Sequence, residues 1–163
     1  MQIALGIILI LVSTYARADE SERKGLCSGT EITYFACQTG KQKWIALCGA
    51  VPNALQYRFG RENHVEFRFP KVASEALERF LFAHYVRYQT DRTEVGFSNK
   101  DIDYAVFGYT ENEEYRAGVR ITTSQGKESE FVCIGGVTDR LNELKEVLRC
   151  NPDNPLNDSS CSP

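Results

Sequence analysis

The sequence predicts a mainly β protein: one antiparallel β-sandwich or barrel of about 8–9 short strands, with a C-terminal helix over residues 139–149, stapled by disulfides. Three observations carry this. Between Glu31 and Cys133 the dominant hydrophobic period is two, the spacing of a half-buried strand. Turn chemistry interrupts that alternation at short intervals, as in Ser98-Asn99-Lys100-Asp101 and Ser124-Gln125-Gly126-Lys127. Six cysteines follow a segment of export type. At 163 residues the chain has the length of one domain with a sizeable core, and no internal repeat divides it.

The first element is not part of that fold. Ile3 to Val12 is an unbroken apolar run, about half of the ~20 residues a bilayer span needs. Polar Ser13-Thr14-Tyr15 and the small-residue site Ala16-Arg17-Ala18 follow, which is the order of a secretory signal peptide over residues 1–18. No later stretch is long and apolar enough to span a membrane. The expected organisation is this leader, a β-rich domain with its C-terminal helix over 19–150, and an irregular tail over 151–163.

Glu31–Cys37 and Lys43–Cys48 read as two strands joined at Gln38-Thr39-Gly40-Lys41-Gln42. Leu55–Phe59 and Val65–Phe69 form a hairpin about Gly60-Arg61-Glu62-Asn63-His64, with Tyr57, Phe59, Val65, Phe67 and Phe69 facing inward and Arg58 opposite Glu66 on the wet face. Ser74–Phe80 reads as one or two helical turns capped by Ser74. Further strands are expected at Phe82–Tyr88, Glu94–Phe97, Ile102–Tyr109, Tyr115–Thr123 (inward set Tyr115, Ala117, Val119, Ile121) and Glu128–Cys133. In Asp139–Arg149, Leu141, Leu144 and Leu148 recur at helical spacing, with Thr138 placed to cap and Gly135-Gly136 making the strand-to-helix turn. After Cys150 the prolines and the lack of apolar groups leave an irregular tail.

The cysteines are Cys27, Cys37, Cys48, Cys133, Cys150 and Cys161, spaced 10, 11, 85, 17 and 11 apart, without a C-x-x-C and with only His64 and His84 as histidines. That pattern reads as disulfides rather than a metal site or redox pair. In a tight first hairpin Cys37 lies near the turn and Cys48 at the open end, too far out of register to bond. Cys48 instead meets Cys27, at the entrance to the first strand. Cys133, ending the last strand, meets Cys37 if first and last strands are neighbours, and Cys150 closes the tail on Cys161.

The formal charge of −3 argues against a nucleic-acid partner. No nucleophile–histidine arrangement, phosphate loop or dinucleotide fingerprint is present, so no catalytic, cofactor or metal residue is assigned. The acidic run Glu111-Asn112-Glu113-Glu114 between Tyr109 and Tyr115 is the candidate partner-binding feature, through Glu111, Glu113, Glu114, Tyr109 and Tyr115.

Phe35-x-Cys37-x-x-Gly40-Lys41, Leu47-Cys48-Gly49-Ala50, Leu55-Gln56-Tyr57-Arg58-Phe59-Gly60, Val95-x-Phe97-Ser98-Asn99 with Asp103-Tyr104, and Cys133-x-Gly135-x-Val137-Thr138 form a series. Together they resemble a group of small exported bacterial proteins with no assigned activity, over most of residues 26–138. The resemblance implies an exported β-rich fold with cysteines at 27, 37, 48 and 133, and no chemistry. The aromatic-x-Cys-x-x-Gly opening is also similar to that of the periplasmic inhibitors of c-type lysozyme. Their inhibitory Ser-Gly-x-x-Tyr loop has no counterpart here, where the one Ser-Gly is Ser28-Gly29, so none of their site positions carries over.

The expectation is therefore a periplasmic or secreted binding protein directed at another protein, of inhibitor or immunity type, with a cell-wall hydrolase as the target class. The alternatives are an envelope-polymer hydrolase working through carboxylates, and a structural envelope component.

Overall fold

The computed structural model describes residues 25–157 and Cys161. The expected leader, and tail residues 158–160, 162 and 163, lie outside the described residues. Ten strands succeed one another along the chain: β1 (Ile32–Thr39), β2 (Lys43–Ala50), β3 (Ala54–Arg61), β4 (His64–Phe69), β5 (Leu81–Arg87), β6 (Thr90–Asn99), β7 (Ile102–Glu111), β8 (Glu114–Thr123), β9 (Glu128–Asp139) and β10 (Arg149–Cys150). They make one sheet in the order β10-β5-β6-β7-β8-β9-β1-β2-β3-β4. Neighbours are antiparallel except β10 on β5. The single α-helix among the described residues, α1 (Ala76–Arg79), links the β4 and β5 edges.

The sheet curls into a half-barrel, because strands far apart in its order pack their aromatic rings together. Tyr57 of β3 and Phe69 of β4 meet Phe97 of β6 at 5.1 and 4.6 Å between centroids, and Phe97 stacks on Tyr104 of β7 at 4.7 Å. These rings, with Phe35, Ile45, Leu47, Val95, Val106 and Val119, form the main core on the inner face. β9 makes the curl possible: its first half pairs with β8 and its second half with β1. All three disulfides form as spacing and register imply, Cys27–Cys48, Cys37–Cys133 and Cys150–Cys161. No helix among the described residues is long and apolar enough to cross a membrane.

Several local expectations are corrected. The C-terminal helix over 139–149 is absent. β9 runs on to Asp139, whose partner is Phe35, so Thr138 is consumed in the ladder and cannot cap. Beyond the strand lies a 3-10 turn at Leu141–Leu144, started by the Asp139 carboxylate accepting from the Leu141 N–H at 3.0 Å. Arg149 and Cys150 then enter the sheet beside Leu81 and Phe82, so the segment between is tied to strands at both ends and closes in turns rather than a helix. The leucine stripe does bury itself, with Leu141, Leu144 and Leu148 all in the core. Gly135 and Gly136 lie inside β9, where Gly136 takes a φ of 62° against the Trp44 ring. Ser74 sits within a 3-10 turn (Ala73–Glu75) and caps nothing; the position before that turn is Val72.

In the β3–β4 hairpin, a two-residue turn at Glu62-Asn63 and a register shift between Phe59 and Gly60 together change the partners. Arg58 lies opposite Arg68, not Glu66, and turns to Glu31, with guanidinium–carboxylate distances of 2.6 and 2.7 Å. Glu66 bonds Lys43 instead. Val65 is moved to the outer face, where it joins Leu26, Ala36, Trp44, Ala46 and Cys48 in a second small core.

Candidate functional site

The outer face of β6–β9 carries the site, and strict alternation puts it there. Arg92 and Glu94 point outward from β6, Phe107, Tyr109 and Glu111 from β7, Glu114, Arg116 and Arg120 from β8, Glu128 and Glu130 from β9. The intervening residues Val95, Val106, Ala117 and Val119 fill the inner core. Polar side chains are thus crowded on the face opposite the aromatic core. They line a groove of about 650 Å³, bounded at one end by Asn154, Pro155 and Leu156. It adjoins a second hollow of about 480 Å³ that shares Glu94, Arg120 and Glu128.

The tail edge of the groove is held by the chain's last disulfide and a set of asparagine bonds. Asn157 is buried; its Oδ1 accepts from the His84 N–H at 3.0 Å and its Nδ2 donates to the Asn151 carbonyl at 2.6 Å. The Asn151 N–H donates to the Phe82 carbonyl, so residues 151–157 cover the β5 edge rather than trailing from it.

Glu94 is the anchor, at 2% exposure. Its carboxylate accepts from Arg120 Nη2 at 2.6 Å, from Asn154 Nδ2 at 2.6 Å and from the Tyr109 hydroxyl. Burial, and then the neighbouring Glu94 charge, push the Tyr109 phenol well above its ordinary range, so it keeps its proton and donates. Burial works against the charge on Arg120, but Tyr109 and Glu94 outweigh it and hold the guanidinium cationic. Two further pairs, Arg92–Glu111 at 2.5 Å and Arg116–Glu130, continue the ladder. Arg92 also lies over the Tyr109 ring and Arg116 over the Phe107 ring. The bond from Arg92 holds the Glu111 carboxyl below its ordinary value.

Three arginines and five glutamates line the groove, so its lining carries a net charge of −2. Glu94, Glu111 and Glu130 are spoken for by arginines. Glu114 and Glu128 have no ion-pair partner among the described residues, and they lie towards opposite ends of the groove. The lining holds no histidine, cysteine or serine, and no cluster of three or more His, Cys, Asp or Glu among the described residues is placed to hold a metal. His84 pairs with Asp91 at 3.0 Å, and His64 is exposed at the start of β4.

The five candidate residues divide. Tyr109, Glu111 and Glu114 line the groove. The expected acidic loop is only a two-residue turn, Asn112-Glu113, with φ of 49° and 72°, which suits the twist of the flanking strands. Glu113 sits on that turn. Tyr115 alternates to the inner face, where its hydroxyl donates to Asp139 at 2.7 Å, and burial with that carboxylate raises its pKa. Arg92, Glu94, Arg116, Arg120, Glu128 and Glu130 belong to the site without having been singled out from sequence. The signal that could have found them is the same period two, applied to the outward positions rather than to the inward ones.

The chain matches no family model, no curated protein and no solved structure.

Proposed function

We propose that this protein is an exported binding protein, of inhibitor or immunity type, that seats a basic segment of another protein in the acidic groove on the outer face of β6–β9. The observation that carries the reading is the Glu114/Glu128 pair. The internal arginine–glutamate ladder neutralises the middle of the groove, and these two carboxylates are left for a partner. Glu114 lies at the start of β8, and Glu128 pairs with Thr122 near its end. At ~3.3 Å per residue the two are roughly 25 Å apart, a span that suits a polypeptide segment better than a small molecule. The ladder is already paired within the protein, so little side-chain order remains to be lost on association.

Three disulfides fit an oxidising compartment, and the secretory order of residues 3–18 supports export to the periplasm or beyond. A cell-wall hydrolase with a basic active-site rim is the partner class this combination favours.

The test uses the mature chain and its Glu114→Lys/Glu128→Lys variant as baits on envelope extract, followed by titration of the recovered protein. The expected result is a basic partner that elutes with rising salt and binds the variant at least tenfold more weakly. Rim charges act mainly on the association rate, so the loss should appear there. An equal affinity for both baits, or no partner at low salt, refutes the assignment. Turnover of peptidoglycan by the wild-type chain, lost in Glu128→Gln, would replace binding by hydrolysis.

A further inference from the structure

A separate cavity, of about 190 Å³, lies on the opposite, inner face of the sheet, where β3 and β4 face β7 to β9 across the curl. Its walls are five aromatic rings, Tyr57, Phe59, Phe67, Tyr104 and Phe131, with Val119 beside them. We propose that this cavity binds a single aromatic ring bearing one hydrogen-bonding oxygen, about the size of a cresol, whose oxygen accepts from the Tyr57 hydroxyl.

Size sets the first limit. An apolar cavity of ~150 Å³ is enough to hold benzene, so this one has room for a ring with one or two small substituents. Shape sets the second. Phe67 and Tyr104 are stacked at 5.7 Å with 17° between planes, and Phe59 and Phe131 are 5.9 Å apart at 59°, so the walls present both faces and edges of rings. An aromatic guest gains ring–ring geometry there that an aliphatic chain of equal volume does not.

Polarity sets the third. Tyr57 is 1% exposed, yet its hydroxyl has no hydrogen-bond partner among the described residues. No buried polar side-chain atom among those residues is sealed away without a partner. Tyr57 lines the cavity, so a guest seated there is placed to complete its hydroxyl. A phenol at such a depth without an acceptor is costly unless a ligand or water completes it. Burial, reinforced by the neighbouring Tyr104, raises the Tyr57 pKa, so the hydroxyl stays protonated and acts as the donor.

The experiment titrates p-cresol and toluene, which differ by one hydroxyl, into isotope-labelled mature protein and follows amide and methyl NMR shifts. The wild type should bind p-cresol roughly fivefold more tightly than toluene, the factor expected for one net neutral hydrogen bond. Tyr57→Phe, which keeps the ring and removes the donor, should bind the two alike. Intermolecular NOEs should place both guests against the Val119 methyls. Neither compound binding the wild type, contacts placed elsewhere, or a Tyr57→Phe protein that retains the preference would each overturn the proposal. The NOE arm needs no variant, so a folding defect in Tyr57→Phe leaves the site itself decidable.

Discussion

Removing one partner of the Glu94–Arg120 pair should cost far more than the pair itself contributes. Arg120→Met leaves the Glu94 carboxylate at 2% exposure with only the Tyr109 hydroxyl and Asn154 amide to hold it. Breaking a buried ion pair in this way costs ~3–5 kcal/mol, and the two remaining donors place Arg120→Met at the lower end, about 3 kcal/mol. Glu94→Met leaves Arg120 unpaired, but that side chain is 25% exposed and can turn to water. Its loss, about 2 kcal/mol, comes mainly from charged hydrogen bonds left unmade. The double variant removes both charges together and should fall short of the sum of the singles by about 2 kcal/mol. Urea unfolding at neutral pH measures all four corners of the cycle as midpoint shifts at constant slope. Additivity within ~0.5 kcal/mol would show that the two groups do not act on each other, and the groove would lose its anchor.

Three other outcomes are expected. Paired Cys→Ala removal should destabilise in the order of the sequence separations, 96 for Cys37–Cys133, 21 for Cys27–Cys48 and 11 for Cys150–Cys161. The chain-entropy relation gives roughly 4.7, 3.3 and 2.8 kcal/mol, and a different order in thermal unfolding would mean that native packing, not loop closure, dominates. Phe97→Ala, at the centre of the stacked rings, should cost ~3–5 kcal/mol, whereas Phe131→Ala, 42% exposed, should cost under ~1.5 kcal/mol; equal denaturation midpoints would contradict the inner-core assignment. The Glu31 carboxyl is held below its ordinary value of 4.5: burial raises it, and the bonds from Arg58 and Ser28 together more than reverse that. A depressed carboxyl contributes stability that is present above the unfolded pKa and lost as pH falls through the folded one. Glu31→Gln should therefore flatten the acid side of the stability profile below about pH 4.5 and leave its alkaline side unchanged, which denaturation at stepped pH reads directly.

How much of the fold was legible in the chain depends on the range of the forces involved. Alternation in Tyr115–Thr123 and Leu55–Phe59 reports burial of one face residue by residue, so the strands, most of their inward sets and the cysteine pairing could be read before any contact was known. The cysteine argument worked because a hairpin's register is local and a disulfide's reach is short. Leu141, Leu144 and Leu148 show where local reading stops. Their spacing reports burial correctly, but whether a helix or a 3-10 turn delivers it depends on how far β9 is drawn along β1 and on Arg149–Cys150 docking against β5.

The site shows the same division. Each outward position of β6 to β9 is written in the period-two pattern, yet the choice of partners is not. Glu94 and Arg120 are 26 residues apart, and Asn154 reaches Glu94 from 60 residues away. Arg58 lies opposite Arg68, not Glu66, because the two-residue turn at Glu62-Asn63 and a bulge between Phe59 and Gly60 each shift the register by one, and its guanidinium pairs with Glu31 instead. The sequence by itself determined most of which side chains share a face of each strand, since the pleat imposes that alternation wherever no bulge interrupts it, as one does next to Val65. Which charges meet across the outer face, and that Tyr57 lines a cavity on the inner one, depended on the curl of the whole sheet, which sums the twist and bulges of ten strands and is set by no short segment.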